Sequence, residues 1–344
     1  MTNLVRGKKV LVTGAAGSVG SALLRRIASL EPAALIGFDN SEAGLFRVEQ
    51  EAKGHVIPVL GDIRDQDRMI HSFKDVDLVF HAAALKHVPM CERSPFEAVK
   101  TNLLGVQNVI TAGLSQEVSR VIFTSTDKAV NPTNVMGASK LMGEQLVRAA
   151  NISAPGQIFS TTRFGNVLGS SESVIPIFAR QIAQGGPVTL TSPEMTRFIM
   201  TMSDAIDLLL GAASLAEGGE IFVTKMKSIN ITTLARVMID QLAPQYGQES
   251  TEIELGEIGP RPGEKMFEEL MTEEESRRTV ELVDYFVVSP ALADLYRTSS
   301  AIYPDIINSE ITQAYTSRNQ APLSEEELKE YFDEKEVLQP WEQN

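Results

Sequence analysis

Short apolar runs rich in β-branched residues recur along the first part of the chain, and amphipathic segments lie between them. Such runs predict strands of a parallel sheet, because strands covered on both faces need no polar alternation. The segments between the runs repeat their apolar positions at helical spacing. The strands are predicted at Lys9–Thr13, Ala34–Asp39, His55–Leu60, Val76–His81 and Arg120–Ser125, and the clearest helices at Ser21–Leu30, Pro95–Leu114 and Met136–Ala150.

Strands and helices that alternate at this spacing are typical of a doubly wound, Rossmann-type α/β fold. Residues 1–165 are therefore predicted to form the core of the fold, with some later segments returning to it. After residue 166 the pattern loosens into short helices, Pro/Gly turns and isolated strands, for example in Pro187–Pro193 and Glu220–Lys225. Residues 166–344 are predicted to form mainly a smaller α/β lobe, which ends in an acidic helix beyond Leu323.

Composition and charge exclude several classes of function. The 344 residues include 31 basic and 45 acidic side chains, a net charge of −14, which disfavours nucleic acid as a partner. The single cysteine, Cys91, excludes an internal disulfide, and with only four histidines no metal site is predicted. Apolar runs are too short to span a bilayer and the N-terminus leads directly into a strand, so we expect no membrane span, no signal peptide and a cytoplasmic location.

A glycine-rich segment follows the first strand and opens the first helix. Its spacing is G-x-x-G-x-x-G: Gly14 allows the tight turn, Gly17 lets the backbone approach a pyrophosphate, and Gly20 lets helix and strand pack closely. The helix N-terminus adds amide donors and the positive end of a dipole. The segment predicts a dinucleotide site built from Gly14, Ala16, Gly17, Ser18, Val19 and Gly20.

An acidic residue at the end of the second strand indicates which dinucleotide binds. The carboxylate of Asp39 can accept hydrogen bonds from the adenosine ribose and would repel a 2′-phosphate, which favours NAD over NADP. Asn40 follows it, and Arg47 is the nearest cation after it. Residues after the third and fourth strands are predicted to complete the cofactor site, namely Asp62 and Ile63 beside the adenine and the small residues Ala82, Ala83 and Ala84.

Several longer motifs carry a resemblance to a known family. They are HAAALKHVPMCE from His81, KTNLLGVQNV from Lys100, STDKAVNPTNVMGASK from Ser125, RFGNV from Arg163, TRFIM from Thr196 and GPRPGEKMFEEL from Gly259. With them the chain resembles the extended short-chain dehydrogenases/reductases from about Lys8 to Val288. Within that family it is similar to the CapD-like UDP-N-acetylglucosamine 4,6-dehydratases of polysaccharide biosynthesis, in their short form without an N-terminal membrane region.

One position departs from the pattern of most short-chain dehydrogenases. They carry Tyr-x-x-x-Lys, whereas this chain has Met136 with Lys140 four residues later. Positions i and i+4 share a helix face, so Lys140 is expected to reach the nicotinamide ribose beside Met136. A thioether cannot accept and release a proton as a phenol does. Met at this position is similar to a subset of the 4,6-dehydratases, and we interpret it as a mark of that subfamily.

The resemblance implies a redox-neutral reaction on a UDP-sugar, UDP-N-acetylglucosamine. Hydride leaves C4 for NAD⁺, water is eliminated across C5 and C6, and hydride returns to C6. The product is a UDP-2-acetamido-2,6-dideoxy-4-keto-hexose. The resemblance makes Asp127 the acid at C6 and Lys128 the base at C5. Both directly follow the fifth strand, at the edge of the sheet where ligands bind.

These roles require displaced pKa values. A lysine near its usual pKa of about 10.4 is a poor base, so desolvation and neighbouring Lys140 are expected to lower the pKa of Lys128 towards about 7 to 8. Burial is expected to keep Asp127 protonated above its usual pKa of about 3.9. The group that deprotonates the C4 hydroxyl is left open among Thr126, an ordered water and Asp127.

The resemblance also implies the substrate contacts. Lys86 and His87 would face the sugar, and Asn166 would contact the diphosphate. Arg197 and Arg261 are the expected cations for the diphosphate or ribose, since guanidinium binds phosphate bidentately. Glu264 would bond the uridine ribose. Uracil would meet the backbone of Pro187–Leu190, with Val188 and Thr189 at its centre.

Three alternatives stay open at this stage. The C5 configuration is retained or inverted, and Met136 favours retention. A C4 epimerase would not need Lys128, because it never acts on C5, and it would usually keep the tyrosine. A non-catalytic NAD-binding sensor would leave every UDP-sugar unchanged. The family resemblance further implies a homo-oligomer, paired through helices that flank the sheet.

Overall fold

The computed structural model describes residues 2–154, 156–168, 174–259, 264–292 and 303–338. Contacts within the chain divide it into two compact units. The first comprises Met1–Phe164, Ile206–Lys225 and Leu270–Ala314, and the second comprises Gly165–Ala205, Met226–Glu269 and Tyr315–Asn344. The predicted assignment of cofactor and substrate binding to the two parts of the chain stays a prediction.

The described residues contain short strands and mostly short helices. The strands are β1 (Lys9–Thr13), β2 (Ala34–Asp39), β3 (Ile57–Leu60), β4 (Leu78–His81), β5 (Arg120–Thr126), β6 (Ile158–Phe164), β7 (Asn166–Val167), β8 (Val188–Leu190), β9 (Thr196–Met200), β10 (Ile221–Thr224), β11 (Lys227–Asn230), β12 (Leu255–Glu257), β13 (Glu269–Met271), β14 (Thr279–Glu281), β15 (Tyr285–Val288) and β16 (Tyr315–Thr316). The helices are α1 (Thr2–Val5), α2 (Ser18–Ala28), α3 (Glu42–Glu51), α4 (Gln66–Ser72), α5 (Val88–Arg93), α6 (Pro95–Ala98), α7 (Gly105–Ser115), α8 (Val135–Ala150), α9 (Val174–Ala183), α10 (Met202–Leu215), α11 (Ile231–Leu242), α12 (Glu273–Ser276) and α13 (Glu325–Glu334).

The first unit is built on a nine-stranded sheet in the order β14-β15-β10-β6-β5-β4-β1-β2-β3. The strands from β3 to β10 in this order run parallel, and β15 is antiparallel to both of its neighbours. This sheet confirms the predicted doubly wound α/β fold, and all five predicted strands are present. β3 and β4 each begin two residues later than predicted.

The strand order reverses at β1, which pairs with β2 on one side and with β4 on the other. Thr13 at the end of β1 is therefore in register with Phe38 of β2 and with His81 of β4. In open α/β sheets, ligands bind in the crevice at such a switch point, outside the carboxyl ends of the strands. The glycine-rich segment begins there.

Three sequence predictions need correction. Neither segment predicted as an isolated strand is isolated: β8 in Pro187–Pro193 pairs with β12, and β10 in Glu220–Lys225 pairs with β6 and β15 inside the main sheet. The β10 residues Ile221, Phe222 and Val223 are fully buried, as an interior strand requires. Pro95–Leu114 is not one α-helix, since a π-helical segment at Val99–Leu104 separates α6 from α7 and contains the buried side chain of Asn102.

The second unit has small sheets and its own apolar core. β9 pairs with antiparallel β11 and parallel β7, and β8 pairs with parallel β12. Helices α9, α11 and α13 contribute to one buried cluster. The predicted acidic helix is α13, whose acidic side chains are mostly exposed while Leu328 and Phe332 are buried in that cluster. Among the described residues, no helix combines the length and apolar character needed to cross a bilayer.

Candidate active site

The glycine-rich segment forms a close-packed turn at the end of β1. Gly14 has a φ of +70°, and a Cβ on it would lie 2.7 Å from the backbone nitrogen of Ala83. A Cβ on Gly20 would lie 2.0 Å from the carbonyl oxygen of Gly14. Helix α2 begins at Ser18, and its N-cap residue Gly17 offers no side-chain acceptor to the first amides. The cradle therefore fits a dinucleotide pyrophosphate, which binds backbone amides at such a turn.

Asp39 is held against this turn by backbone donors. The amide of Ala16 donates to its Oδ2 at 3.0 Å, and the amide of Ser41 donates to its Oδ1 at 2.9 Å. The carboxylate is thus fixed beside the glycine-rich segment, as the ribose-binding prediction requires. The ribose contact and the role of Asn40 stay predictions.

Asp62 is engaged by a cation of the chain itself. Nε of Arg64 lies 2.9 Å from both carboxylate oxygens of Asp62. The hydrogen bond from Arg64 lowers the pKa of Asp62, against the opposing effect of burial. Ile63 is buried, and its carbonyl accepts a hydrogen bond from Asn108 Nδ2 at 2.9 Å. Contact of either residue with an adenine stays a prediction.

The segment after β4 is fixed by a buried asparagine that sequence reasoning missed. Asn102 Oδ1 accepts from the Leu85 amide at 2.8 Å, and its Nδ2 donates to the Leu85 carbonyl and to Ser139 Oγ at 3.0 and 2.9 Å. Buried amides need partners, but this helical segment also holds Lys100, Thr101 and other polar residues, so no local signal singled out Asn102. Ala82, Ala83 and Ala84 are half-buried in this segment, and Lys86 and His87 are exposed beyond it.

His81 lies at the end of β4, inside the sheet. Its Nδ1 is 2.7 Å from Thr13 Oγ1, and its Nε2 is buried without a hydrogen-bond partner. Burial, with a further contribution from the charge of Lys140, lowers the pKa of His81 to about 3. The imidazole is therefore neutral at physiological pH.

The predicted acid and base contact each other directly after β5. Lys128 Nζ lies 3.0 and 3.1 Å from the two carboxylate oxygens of Asp127, and the hydroxyl of Thr126 donates to Asp127 Oδ1 at 2.7 Å. The Asp127 side chain is 6% exposed, while that of Lys128 is 36% exposed. The turn thus holds a shielded carboxylate beneath a more accessible ammonium, an arrangement suited to proton exchange between them.

Lys140 projects from α8 towards the same strand. Its Nζ donates to the carbonyl of Thr124 at 2.6 Å and lies 4.2 Å from the centre of the Phe123 ring. Burial lowers the pKa of Lys140 to about 8, although Glu144 raises it. One turn earlier on the helix, Met136 is buried in a small apolar cluster with Cys91 and Ala98.

In the second unit, Asn166, Arg197 and Glu264, all predicted to bind substrate, are linked by contacts that include Glu268. The sequence analysis did not predict a role for Glu268. Glu268, which is 5% exposed, accepts hydrogen bonds from the side-chain amide of Asn166 and, at 2.8 Å, from the Phe198 amide. Arg197 lies 3.5 Å from both Glu268 and Glu264. The only signal for Glu268 was its acidic side chain in the motif from Gly259.

Three further predicted residues have different outcomes. Arg261 lies outside the described residues. The amide of Val188 donates to the Glu254 carbonyl at 2.9 Å, and that of Thr189 donates to Gln181 Oε1 at 3.1 Å. Both amides are therefore engaged within the second unit, and contact of this segment with uracil stays a prediction.

Comparison with known proteins places the chain among sugar-nucleotide enzymes. Residues 10–290 match the family described as "Polysaccharide biosynthesis protein". The uncharacterized membrane protein MJ1061 of Methanocaldococcus jannaschii is 48% identical, over 88% of this chain and 92% of its own length. Two longer relatives are matched over only 46% and 47% of their length, so the chain spans about half of each.

Two relatives of nearly equal similarity carry different activities in their names. The UDP-N-acetylglucosamine 4,6-dehydratase (inverting) of Campylobacter jejuni is 37% identical, over 84% of this chain and 85% of its own. The UDP-glucose 4-epimerase of Rickettsia massiliae is 38% identical, over 94% of each chain. Sequence identity alone therefore does not choose between dehydration and epimerisation.

Solved structures agree with the fold. Pen from Bacillus thuringiensis superposes with a TM-score of 0.87 at 38% identity, covering 97% of this chain and 99% of that chain. DesIV, a dTDP-glucose 4,6-dehydratase from Streptomyces venezuelae, superposes with a TM-score of 0.65 at 24% identity, covering 75% of this chain and 86% of that chain. The second likeness bears on the fold alone.

Proposed function

The chain belongs to the polysaccharide biosynthesis protein family, and on that premise we propose that it is an NAD-dependent UDP-N-acetylglucosamine 4,6-dehydratase. The observation that carries the proposal is the contact between Lys128 and Asp127 at the end of β5. Elimination across C5 and C6 needs a base and an acid close together, whereas C4 epimerisation needs neither at C5. The name of the Campylobacter jejuni relative supports the same substrate and reaction class.

The cradle of Gly14, Gly17 and Gly20 and the fixed carboxylate of Asp39 would hold NAD. When bound, NAD supplies the site that takes a hydride from sugar C4 and later returns it to C6. Lys140 would bind the nicotinamide ribose from α8. Thr126 Oγ1, in contact with Asp127, is our candidate for the group that receives the C4 hydroxyl proton and passes it on.

The Lys128–Asp127 pair returns to its starting protonation state at the end of the elimination step. A proton that moves from the ammonium to the carboxylate across 3.0 Å gives a neutral amine and a carboxylic acid. The amine then takes the C5 proton, the C5–H electrons form the C5–C6 double bond, and Asp127 protonates the departing C6 oxygen as water. The pair is thereby an ammonium and a carboxylate again.

The same lysine would complete the product. When hydride adds to C6, the Lys128 ammonium delivers a proton to C5, and the proton released earlier from the C4 hydroxyl balances that loss. One base that takes and returns the proton on one side of the sugar retains the configuration, so we propose retention. Inversion is the second candidate, because the Campylobacter jejuni relative carries that term in its name.

The substrate contacts are proposed from the family resemblance. Lys86 and His87 are assigned to the sugar, Asn166 to the diphosphate, Arg197 and Arg261 to the diphosphate or ribose, and Glu264 to the uridine ribose. The buried carboxylate of Glu268 would orient Asn166 and Arg197. A homo-oligomer and a cytoplasmic location stay predictions.

The deciding experiment is an incubation of the pure protein with UDP-N-acetylglucosamine in heavy water, without added cofactor. We expect the mass to fall by one water and deuterium to appear at C5, with the proton NMR coupling pattern reporting retention or inversion. A C4 epimer formed without loss of water would establish the epimerase instead. Unchanged sugars, including UDP-N-acetylgalactosamine and UDP-glucose, in the presence of bound NAD would establish a sensor.

A further inference from the structure

Within the first unit, the buried guanidinium of Arg163 bridges the carboxylates of Glu144 and Glu275. Arg163 of β6 is 1% exposed. Its Nε and Nη2 donate to the two carboxylate oxygens of Glu144 on α8 at 2.8 and 2.6 Å. Its Nη1 and Nη2 donate to Glu275 on α12 at 3.0 and 2.9 Å, and Nη1 also donates to the carbonyl of Leu270 at 3.1 Å.

The network carries one more negative charge than positive charge. Although burial opposes it, the two carboxylates raise the pKa of Arg163, and Arg163 in turn lowers the pKa of Glu275. Buried ion pairs are weak evidence for stability, because apolar residues of similar volume often do as well. Glu275 has a structural role as well, because it accepts a hydrogen bond from the Thr272 amide in the capping box at the start of α12. The contacts of Glu144 are what indicate a further role.

Glu144 connects this network to the end of β5, next to Asp127 and Lys128, by two routes. Ser125 Oγ, two residues before Asp127, donates to Glu144 Oε1 at 2.6 Å. Lys140 lies one turn before Glu144 on the same helix face, and Glu144 raises its pKa. Other titratable groups around α8 include neutral His81 of β4, the ion pair of Asp127 and Lys128, and Arg163 itself. At the start of the helix, Glu92 of α5 accepts a hydrogen bond from the Val135 amide, and Glu97 and Lys100 pair with each other.

We propose that Glu144, held by Arg163, which Glu275 holds in turn, is a positioning residue that fixes the end of β5 through Ser125 and acts electrostatically on buried Lys140, one turn away on the same helix face. A cationic Lys140 is what binding of the nicotinamide ribose and polarisation of the C4 hydroxyl require. The importance of this role for turnover rests on the proposed function. The electrostatic coupling itself does not.

The substitution Glu144→Gln removes the negative charge and keeps nearly the same side-chain shape. The glutamine oxygen can still accept from Ser125, and Arg163 keeps Glu275 and the Leu270 carbonyl, so the variant is expected to fold. Lysine labelled with ¹³C at Cε lets NMR follow the titration of Lys140 in the full-length protein, with the signal assigned by its loss in Lys140→Met. We expect the Lys140 midpoint to fall by about one pH unit or more in Glu144→Gln. An unchanged midpoint in the folded variant would overturn the proposal.

Two matched variants separate this role from a general effect of buried charge. Glu275→Gln removes the same charge but leaves the Ser125–Glu144 contact, and it should shift Lys140 less than Glu144→Gln does. Glu220 is a buried carboxylate that accepts from the amides of Glu217 and Gly218 at the opposite end of the sheet. Glu220→Gln should leave the Lys140 midpoint unchanged, and an equal shift there would contradict the assignment.

Ser125→Ala isolates the hydrogen bond. If Glu144 fixes the strand end, kcat should fall roughly tenfold, the equivalent of a typical hydrogen bond, with KM unchanged. Wild-type turnover would contradict that half of the proposal. A wild-type protein that converts no UDP-sugar would instead refute the proposed function, and the Lys140 titration would still decide the coupling.

Discussion

Asp127 and Lys128 are neighbours in sequence, and their side chains are in hydrogen-bond contact, so a proton can pass between them. Lys128→Met removes the base, and Asp127→Asn removes the acid. We expect either change to lower dehydration by about 10²- to 10⁴-fold. The two variants should differ in C5 exchange, because only Asp127→Asn keeps an amine able to exchange the C5 proton of a 4-keto intermediate. Deuterium at C5 in Lys128→Met but not in Asp127→Asn would reverse the assigned roles.

Thr126 separates two routes for the C4 proton. Its hydroxyl is already hydrogen-bonded to Asp127, and Thr126→Val removes it at nearly constant volume. Reduction of bound NAD by substrate, followed by absorbance in single turnover, reports C4 oxidation directly. We expect that step to slow by about 10²-fold. A near-wild-type rate would leave an ordered water or Asp127 as the proton acceptor.

Met136 occupies the tyrosine position but packs in an apolar cluster with Cys91 and Ala98. Met136→Ala should therefore act as a core truncation that costs about 2 to 4 kcal/mol of unfolding free energy. Turnover per folded molecule should fall only a few-fold, as measured by denaturant unfolding and product formation on the same preparation. Complete loss of turnover in a folded variant would assign Met136 a direct part in the chemistry.

At this scale the sequence predicted site residues from their immediate neighbours, and their functional roles stay predictions. Asp127 and Lys128 directly follow a recognisable strand, and Asp39 ends another. Asn102 and Glu268 were missed because their partners lie far along the chain, at Ser139 and Asn166. A buried polar group acquires its role from those distant partners, and no local pattern encodes them.

At the scale of elements, the turn between β1 and α2 requires glycine, because it has no room for a side chain at Gly20. In Gly20→Ala the new Cβ would meet the Gly14 carbonyl at 2.0 Å, so α2 must move away from β1. We expect the purified variant to lose its bound NAD, measured by absorbance after denaturation. Gly256→Ala is the matched control, because its Cβ would find no atom nearer than 3.9 Å. Full NAD content in Gly20→Ala would refute the assignment of this turn to the cofactor.

Elements could be predicted where the apolar pattern was continuous and the connections were short. The five strands before residue 127 were found for that reason. β10 was misread because its partners are strands far away in sequence, and a short apolar run looks the same in an interior strand as in an isolated one. The π-helical break inside Pro95–Leu114 was missed because its widened turn keeps an apolar spacing close to that of an α-helix.

Across the whole molecule, two buried bases give the folding free energy a defined dependence on pH. His81 has a pKa of about 3 when folded, against an ordinary value of 6.5. The unfolded chain therefore binds more protons between these values, and stability is lost as pH falls from about 6.5 towards 3. The loss attributable to His81 approaches about 1.4 kcal/mol per pH unit. Urea unfolding at about pH 7 and pH 5 should show a steeper loss for wild type than for His81→Leu; equal losses would contradict a neutral buried imidazole.

Lys140 changes the folding free energy at alkaline pH, and the same residue is expected to be needed for turnover. Its pKa of about 8 in the folded protein, against an ordinary 10.5, means that the folded chain binds its proton less tightly than the unfolded chain. The buried ammonium therefore costs stability below about pH 8, and that cost disappears as pH rises towards 10.5.

Lys140→Met should be more stable than wild type by about 1 to 3 kcal/mol near pH 7, with an advantage that shrinks above pH 8, yet it should not turn over. Denaturant unfolding across this range tests the sign, with exposed Lys100→Met as the control. A variant less stable than wild type near pH 7 would mean that the contacts of Lys140 with Thr124 and Phe123 outweigh its desolvation.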